Sequence, residues 1–279
     1  MVFALRGVSV GSAADAARHP GPKVFGLVHL APMPASPFYG GATVSEQLDR
    51  VRASVDALVA GGADGVLLQT SDRVYASGDE TDPATVASMA VLARGVRQDT
   101  PEHFAVGVQI MRNAASASLA VAKVVGADFV RVSALVGASL SAHGWVQPDP
   151  LSIMRYRRAL EAFDVDVLAD VDTVHFEWAG GREPVPDIAR RAVGAGADLV
   201  CIGHPDEDRT VTALRAVRER EPGIGLVLAG HSTFENAARL LPLVDAACVS
   251  RCLTGEKWSG AIEEKLVRSY LALAAEAAG

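Results

Sequence analysis

Gly62-Ala63-Asp64-Gly65-Val66, Gly126-Ala127-Asp128-Phe129-Val130 and Gly196-Ala197-Asp198-Leu199-Val200 repeat one pattern three times, and Leu243-Val244-Asp245-Ala246-Ala247 is a weaker fourth copy. In each strong copy the Gly stands where a helix takes a left-handed C-cap. The Asp marks a turn, and the short apolar run after it reads as a buried strand. Another apolar run lies upstream of each intervening helix: Val24 to Leu30, Ala105 to Met111, Val165 to Val171 and Gly225 to Ala229. The repeat therefore predicts eight strands in four units, with helices between them. Eight alternating strand–helix steps imply an α/β fold, a single (β/α)8 TIM barrel with a closed parallel eight-stranded sheet. In such a barrel the functional groups gather at the C-terminal ends of the strands.

The chain has 279 residues, against roughly 250 for one barrel. This predicts an N-terminal extension over 1–22 and a barrel over 23–279. Hydrophobic residues make up 49% and aromatics only 5%, so the core is built from Ala, Val and Leu. A net charge of -7 argues against a nucleic-acid surface. No apolar run approaches the roughly 18 residues of a membrane span, and Met1 to Pro22 lacks a basic-then-apolar leader pattern. The expected location is cytoplasmic. Cys201, Cys248 and Cys252 read as small buried apolar residues of a reducing compartment.

Along the chain, the first strand runs Lys23 to Leu30. A Pro/Gly-rich loop, Ala31 to Ala42, follows it and is long enough to suggest a lid. Thr43 or Ser45 caps the first helix. Asp82-Pro83 and Asp149-Pro150 each open a helix with a cap and an N1 proline. Gly137 to Gly144 reads as a Gly/Ser/His loop. Thr233 is the expected cap of the seventh helix, and a helix from about Ala261 to Ala278 closes the chain.

A parallel barrel strand is apolar on both faces, so polar interruptions carry the signal. In Phe129-Val130-Arg131-Val132-Ser133, the two Val face the helices, and Arg131 and Ser133 face inward. In Val167-Leu168-Ala169-Asp170-Val171-Asp172, the two-residue period puts Asp170 and Asp172 on one face. The two strands are neighbours, so an Arg131–Asp170 pair is expected, either as a structural ion pair or as active-site charge. His29 shares Leu27's face at a strand end beside the Pro-rich loop. Gln109 and Asn113 share a parity, Arg112 lies at the same strand end, and Gln69-Thr70 ends the second strand. These amides either cap strand ends or hold ligand hydroxyls. Gly230-His231-Ser232 and Ser250-Arg251 follow the seventh and eighth strands, where such barrels often bind phosphate.

Several chemistries are disfavoured. The four Lys are Lys23, Lys123, Lys257 and Lys265, none placed for a barrel-top Schiff base. No His-x-His pair, phosphate loop or nucleophile elbow is present. No cofactor is expected; a loose divalent site from Asp170, Asp172 and His175 is the one metal alternative.

Val28-His29-Leu30-Ala31-Pro32-Met33-Pro34, with Ser36-Pro37 and Tyr39-Gly40-Gly41, resembles the opening signature of the BtpA/SgcQ family. So do Val108-Gln109-Ile110-Met111-Arg112-Asn113, Gly126 to Val132, and Leu168-Ala169-Asp170-Val171 with His175 beyond. The resemblance covers roughly Lys23 to the C-terminus. It implies a ribulose-phosphate-binding barrel, from a family named for a cyanobacterial role in photosystem I biogenesis and with members among sugar-metabolism proteins. The chain departs from the family pattern at Gln69-Thr70 (usually Glu-Asn), at Gln109 and Ser133 (usually Asn), at Ala114 (often acidic), at Asp172 (commonly His) and at His231 (commonly Gly).

Together these readings predict an acid/base enzyme, a hydrolase or lyase/isomerase, acting on a small anionic metabolite such as a sugar phosphate or nucleoside-like compound. Asp170 or Asp172 is the expected acid/base, with His29 sharing proton transfer. Gln69, Gln109, Arg112, Asn113, Arg131 and His175 bind substrate, and Gly230, Ser250 and Arg251 take a phosphate. The alternative is a non-catalytic biogenesis factor that retains the barrel. The chain is expected to form a homo-oligomer, with no nucleic acid and no integral membrane segment.

Overall fold

Each apolar run of the repeat is a strand. The computed structural model describes residues 21–255, 257 and 260–276, so the expected 1–22 extension lies almost wholly outside the described residues. The barrel strands are β1 (Lys23–Leu30), β2 (Gly65–Thr70), β3 (Ala105–Gln109), β4 (Phe129–Val132), β7 (Asp166–Thr173), β8 (Leu199–Gly203), β9 (Gly225–Ala229) and β10 (Ala246–Val249). They close in the order β1-β10-β9-β8-β7-β4-β3-β2, and all eight pairings are parallel. The helices are α1 (Val44–Gly61), α2 (Pro83–Asp99), α3 (Ala115–Val125), α4 (Pro150–Ala159), α5 (Val185–Gly194), α6 (Glu207–Arg220), α7 (Ala237–Leu240) and α8 (Glu264–Glu276).

The repeated Asp does more than mark a turn. Asp64 accepts the Val24 N–H at 2.8 Å and pairs with Lys23. Asp128 accepts the Val106 N–H at 2.7 Å and pairs with Arg97. Asp198 accepts the Val167 N–H at 2.9 Å and pairs with Arg157, and Asp245 accepts the Leu226 N–H at 2.7 Å and pairs with Arg218. Each carboxylate thus clamps its own strand start to the preceding strand, at the end of the barrel opposite the mouth. Gly62 and Gly126 are left-handed C-caps with φ of 91° and 74°. Gly196 has φ 115°, one residue past the cap Ala195.

Phe25, Leu27, Leu67, Phe129, Leu168 and Val227 fill the barrel interior. The Phe25 and Phe129 rings meet there at 5.0 Å. Gly107 makes room for Phe129, because a Cβ at this position would lie 2.2 Å from the ring. The larger apolar layer lies between sheet and helices. Thr43 caps α1 in a reciprocal capping box with Glu46, and Asp82 and Asp149 cap α2 and α4, each followed by proline as the sequence predicts.

Three expectations change. Residues Ser139–Ser141 (β5) and Gly144–Val146 (β6) form an antiparallel hairpin rather than a plain loop, with Leu140 opposite Trp145. Thr233 does not cap a helix: it makes a turn, accepting the Glu235 and Asn236 N–H groups, and α7 starts later, after Asn236. The register of β7 against β8 shifts between Asp170 and Asp172. This bulge overturns the two-residue parity argument for Asp172.

Candidate active site

Arg131 and Asp170 meet as the parity of their strands requires. Arg131 Nε donates to Asp170 Oδ1 at 2.9 Å and Nη2 to Oδ2 at 3.1 Å. Both side chains are almost fully buried. Burial alone would lower the guanidinium's pKa, but the Asp170 charge outweighs it and holds the group protonated. Beyond the bulge Thr173 takes the inward position, pairing with Gly203. Its hydroxyl donates to Asp170 Oδ2 at 2.9 Å and accepts the His175 N–H. Asp170 therefore has both oxygens engaged. Its inward neighbours Cys201 and Cys248 are thiols whose pKa values burial pushes up, that of Cys248 to about 11.

Asp172 is turned out of this cluster. It pairs in register with Ile202, whose side chain packs against the helix layer. Its carboxylate binds Arg209 of α6, Nη2 to Oδ1 at 2.5 Å, and Arg209 also reaches His204 Nε2 at 3.3 Å. Asp172 and Arg209 line a separate cavity of about 600 Å³ beside Glu177 and Trp178. The expected divalent site of Asp170, Asp172 and His175 is thereby pulled apart, and among the described residues no group of three or more His, Cys, Asp or Glu is placed to hold a metal.

Arg112 lies beside His175, Nη1 to Nδ1 at 3.0 Å. A guanidinium only donates, so Nδ1 accepts and the imidazole proton sits on Nε2. No carboxylate among the described residues comes within salt-bridge distance of Arg112, and its Nε is buried without a hydrogen-bond partner. Burial lowers its pKa. Gln69 and Gln109 are buried at strand ends, and the Oε1 of each lacks a partner. Gln109 Nε2 makes a long contact to Ser133 Oγ at 3.5 Å, and Ser133 donates to the Arg112 carbonyl. Asn113 serves the backbone: its Oδ1 accepts the Ala134 N–H at 2.9 Å. That bond is strand-end support.

His29 reaches Ser250 Oγ from Nδ1 at 3.4 Å. Burial, and then the Arg131 charge, lower the pKa of His29 to about 4; the same two causes lead for His175, also about 4. Both imidazoles are neutral at pH 7. Gly230 and His231 have φ of 90° and 57°, so His231 occupies the left-handed conformation that a glycine takes without strain. Its pKa is lowered by burial and then by His204 and Arg251. Arg251 is exposed and opens a short 3-10 turn, Arg251–Thr254. A cavity of about 690 Å³ begins at His29 and Ser250 and is bounded by β1, α1 and Ser71–Arg73.

The Ala31–Ala42 loop packs on the mouth side. Ser36 hydrogen-bonds Asp72, Arg73 lies 4.8 Å over the Phe38 ring, and the Arg73 carbonyl meets His143 of the hairpin. The sequence reading did not single out Thr173, Arg209 or Gln47. Arg209 did leave a signal: Asp206 caps α6, so Arg209 lies in its first turn, where the helix dipole disfavours a cation without a carboxylate partner.

The chain resembles known proteins in sequence and in fold. The photosystem I biogenesis protein BtpA of Synechocystis is 34% identical over 152 residues, which span 54% of this chain and 52% of that one. An uncharacterized protein of Archaeoglobus fulgidus is 31% identical over 88% of this chain and 95% of its own length. Among solved structures, the thiamine phosphate pyrophosphorylase from Pyrococcus furiosus superposes with a TM-score of 0.56 at 18% identity, covering 92% and 97% of the two chains. Tryptophan synthase from M. tuberculosis gives 0.60 at 13%, covering 94% and 96%. At these identities the structural likeness shows the barrel fold. The family model described as "BtpA family" matches residues 21–276, and the chain belongs to the BtpA family.

Proposed function

We propose that the barrel mouth binds a small anionic metabolite, a sugar phosphate or nucleoside-like compound, and transforms it by acid/base chemistry of the hydrolase or lyase/isomerase kind. The observation that carries this reading is Arg112: a partly buried guanidinium that Asp170 acts on only from beyond salt-bridge distance, with no ion-pair partner among the described residues and an unpartnered Nε. Such a charge is costly to leave uncompensated, and an anionic ligand would compensate it. The orphan Oε1 atoms of Gln69 and Gln109 support the same reading, as acceptors for ligand hydroxyls. Gly230, Ser250 and Arg251 are the proposed phosphate end.

Asp170 orients Arg131 and Thr173, and both of its oxygens are engaged in doing so. The acid/base roles pass to the neutral imidazoles. His175 offers Nε2–H as a donor, because Arg112 occupies Nδ1, and His29 exchanges a proton through its Ser250 contact. Asp172 supports Arg209 from outside the mouth. The binding assay that tests the reading compares a sugar with its phosphate, on the wild-type protein and on Arg112→Gln. A biogenesis role is the second reading. It is favoured by the Leu140–Trp145 ridge of the hairpin, exposed by 65% and 57%, together with the named relative. No helix among the described residues is long and apolar enough to cross a membrane.

A further inference from the structure

The buried stripe of α1 reads Gln47, Val51, Ser54, Val55 and Leu58. Helical spacing calls for an apolar side chain at its head, yet position 47 is Gln. Gln47 is 3% exposed, and neither its Oε1 nor its Nε2 has a hydrogen-bond partner. Its neighbour in the stripe, Ser54, does have work, accepting the Ile262 N–H. An amide with both groups unsatisfied destabilises the ligand-free fold. Gln47 lines the 690 Å³ cavity whose inner end is His29 and Ser250, and whose walls include Leu30, Pro32, Val51 and Ile262. The cavity therefore runs from His29 and Ser250 to a chamber where these apolar side chains stand beside Arg50, Asp72 and Arg73, and it holds the unused Gln47 amide.

We propose that this chamber is a subsite for a planar heterocycle with adjacent hydrogen-bond donor and acceptor, the edge a nucleobase presents, and that Gln47 pairs with that edge. An amide meets such an edge bidentately, one bond given and one accepted. The apolar walls suit the ring faces, and the sugar and anionic part reach His29 and Ser250. This assignment rests on the reading of the mouth as an anion site and narrows its ligand to a nucleotide-like molecule. Gln47 sets specificity.

Calorimetric titration tests it. The probes are the four common ribonucleoside 5′-monophosphates, their nucleosides and ribose 5-phosphate, titrated into the wild-type protein and into Gln47→Leu. At least one nucleotide is expected to bind the wild type tenfold or more tighter than ribose 5-phosphate. Gln47→Leu is expected to lose that advantage, a fall of about tenfold to a hundredfold, while its affinity for ribose 5-phosphate and its melting temperature do not fall. If Gln47→Leu folds poorly, Gln47→Met serves as the same apolar replacement. The proposal is overturned if no nucleotide or nucleoside outbinds ribose 5-phosphate, or if the apolar variant keeps the advantage. Nucleosides that bind in a Gln47-dependent way without any gain from the phosphate would uphold the subsite and defeat the anion site.

Discussion

Arg131 and Asp170 are two buried charges whose worth lies in each other. Removing one partner leaves the other without compensation in the barrel interior, which costs about 3–5 kcal/mol. Arg131→Ala is therefore expected to lower the unfolding free energy by about that amount in urea titration. A loss below about 1 kcal/mol would mean the pair is not the closure of the barrel top that its 2.9 and 3.1 Å bonds describe. His29 and His175 give a pH dependence. Their folded pKa of about 4 lies below the ordinary 6.5, so between these values the unfolded chain binds more protons than the folded one. Their contribution is intact above about pH 6.5 and is lost as pH falls toward 4, by at most roughly 3 kcal/mol each before solvent screening. Urea titrations from pH 7 to pH 4.5 on the wild type and on His175→Gln are expected to show a shallower fall in the variant. An identical slope would contradict a neutral buried imidazole at 175.

At the scale of elements, the barrel is a fourfold use of one device. The repeated Asp ties each second strand of a unit to the first and to a Lys or Arg. Asp128→Ala removes the acceptor of the Val106 N–H and the partner of Arg97. It is expected to cost about 2–4 kcal/mol, against about 0–1 kcal/mol for Asp208→Ala, which loses an exposed pair with Arg239. Similar losses from the two substitutions in denaturant titration would refute the clamp. The repeat was legible because a left-handed Gly, an Asp and an apolar run each have a local cause, and the Asp-Pro helix starts were legible for the same reason. Arg131 and Asp170 were legible because strand parity held up to residue 170. Beyond it the bulge changes parity, and nothing in Asp170-Val171-Asp172-Thr173 marks a bulge, so Asp172 was placed inward and Thr173 was overlooked. A strand-end amide such as Asn113 looks the same in sequence whether it serves a ligand or the Ala134 N–H. The hairpin at 139–146 lacks the usual two-residue turn signature; Ala142-His143 stands in its place.

For the molecule as a whole, an acidic chain of net charge -7 surrounds a mouth where Arg112, Arg131 and Arg251 lie at strand ends and Asp170 pairs with Arg131. A locally positive site in an acidic protein concentrates anions, an attraction that added salt screens. Proline and glycine in the Ala31–Ala42 loop, with its ties to Asp72 and Arg73, favour movement as one unit over the mouth rather than local fraying. The central claim is that this mouth binds an anion through Arg112, and the most direct measurement is a thermal-shift titration of ribose and ribose 5-phosphate at low ionic strength. Ribose 5-phosphate is expected to raise the melting temperature clearly more than ribose, and Arg112→Gln is expected to abolish the difference. Equal shifts for the sugar and its phosphate on the wild-type protein would contradict the account.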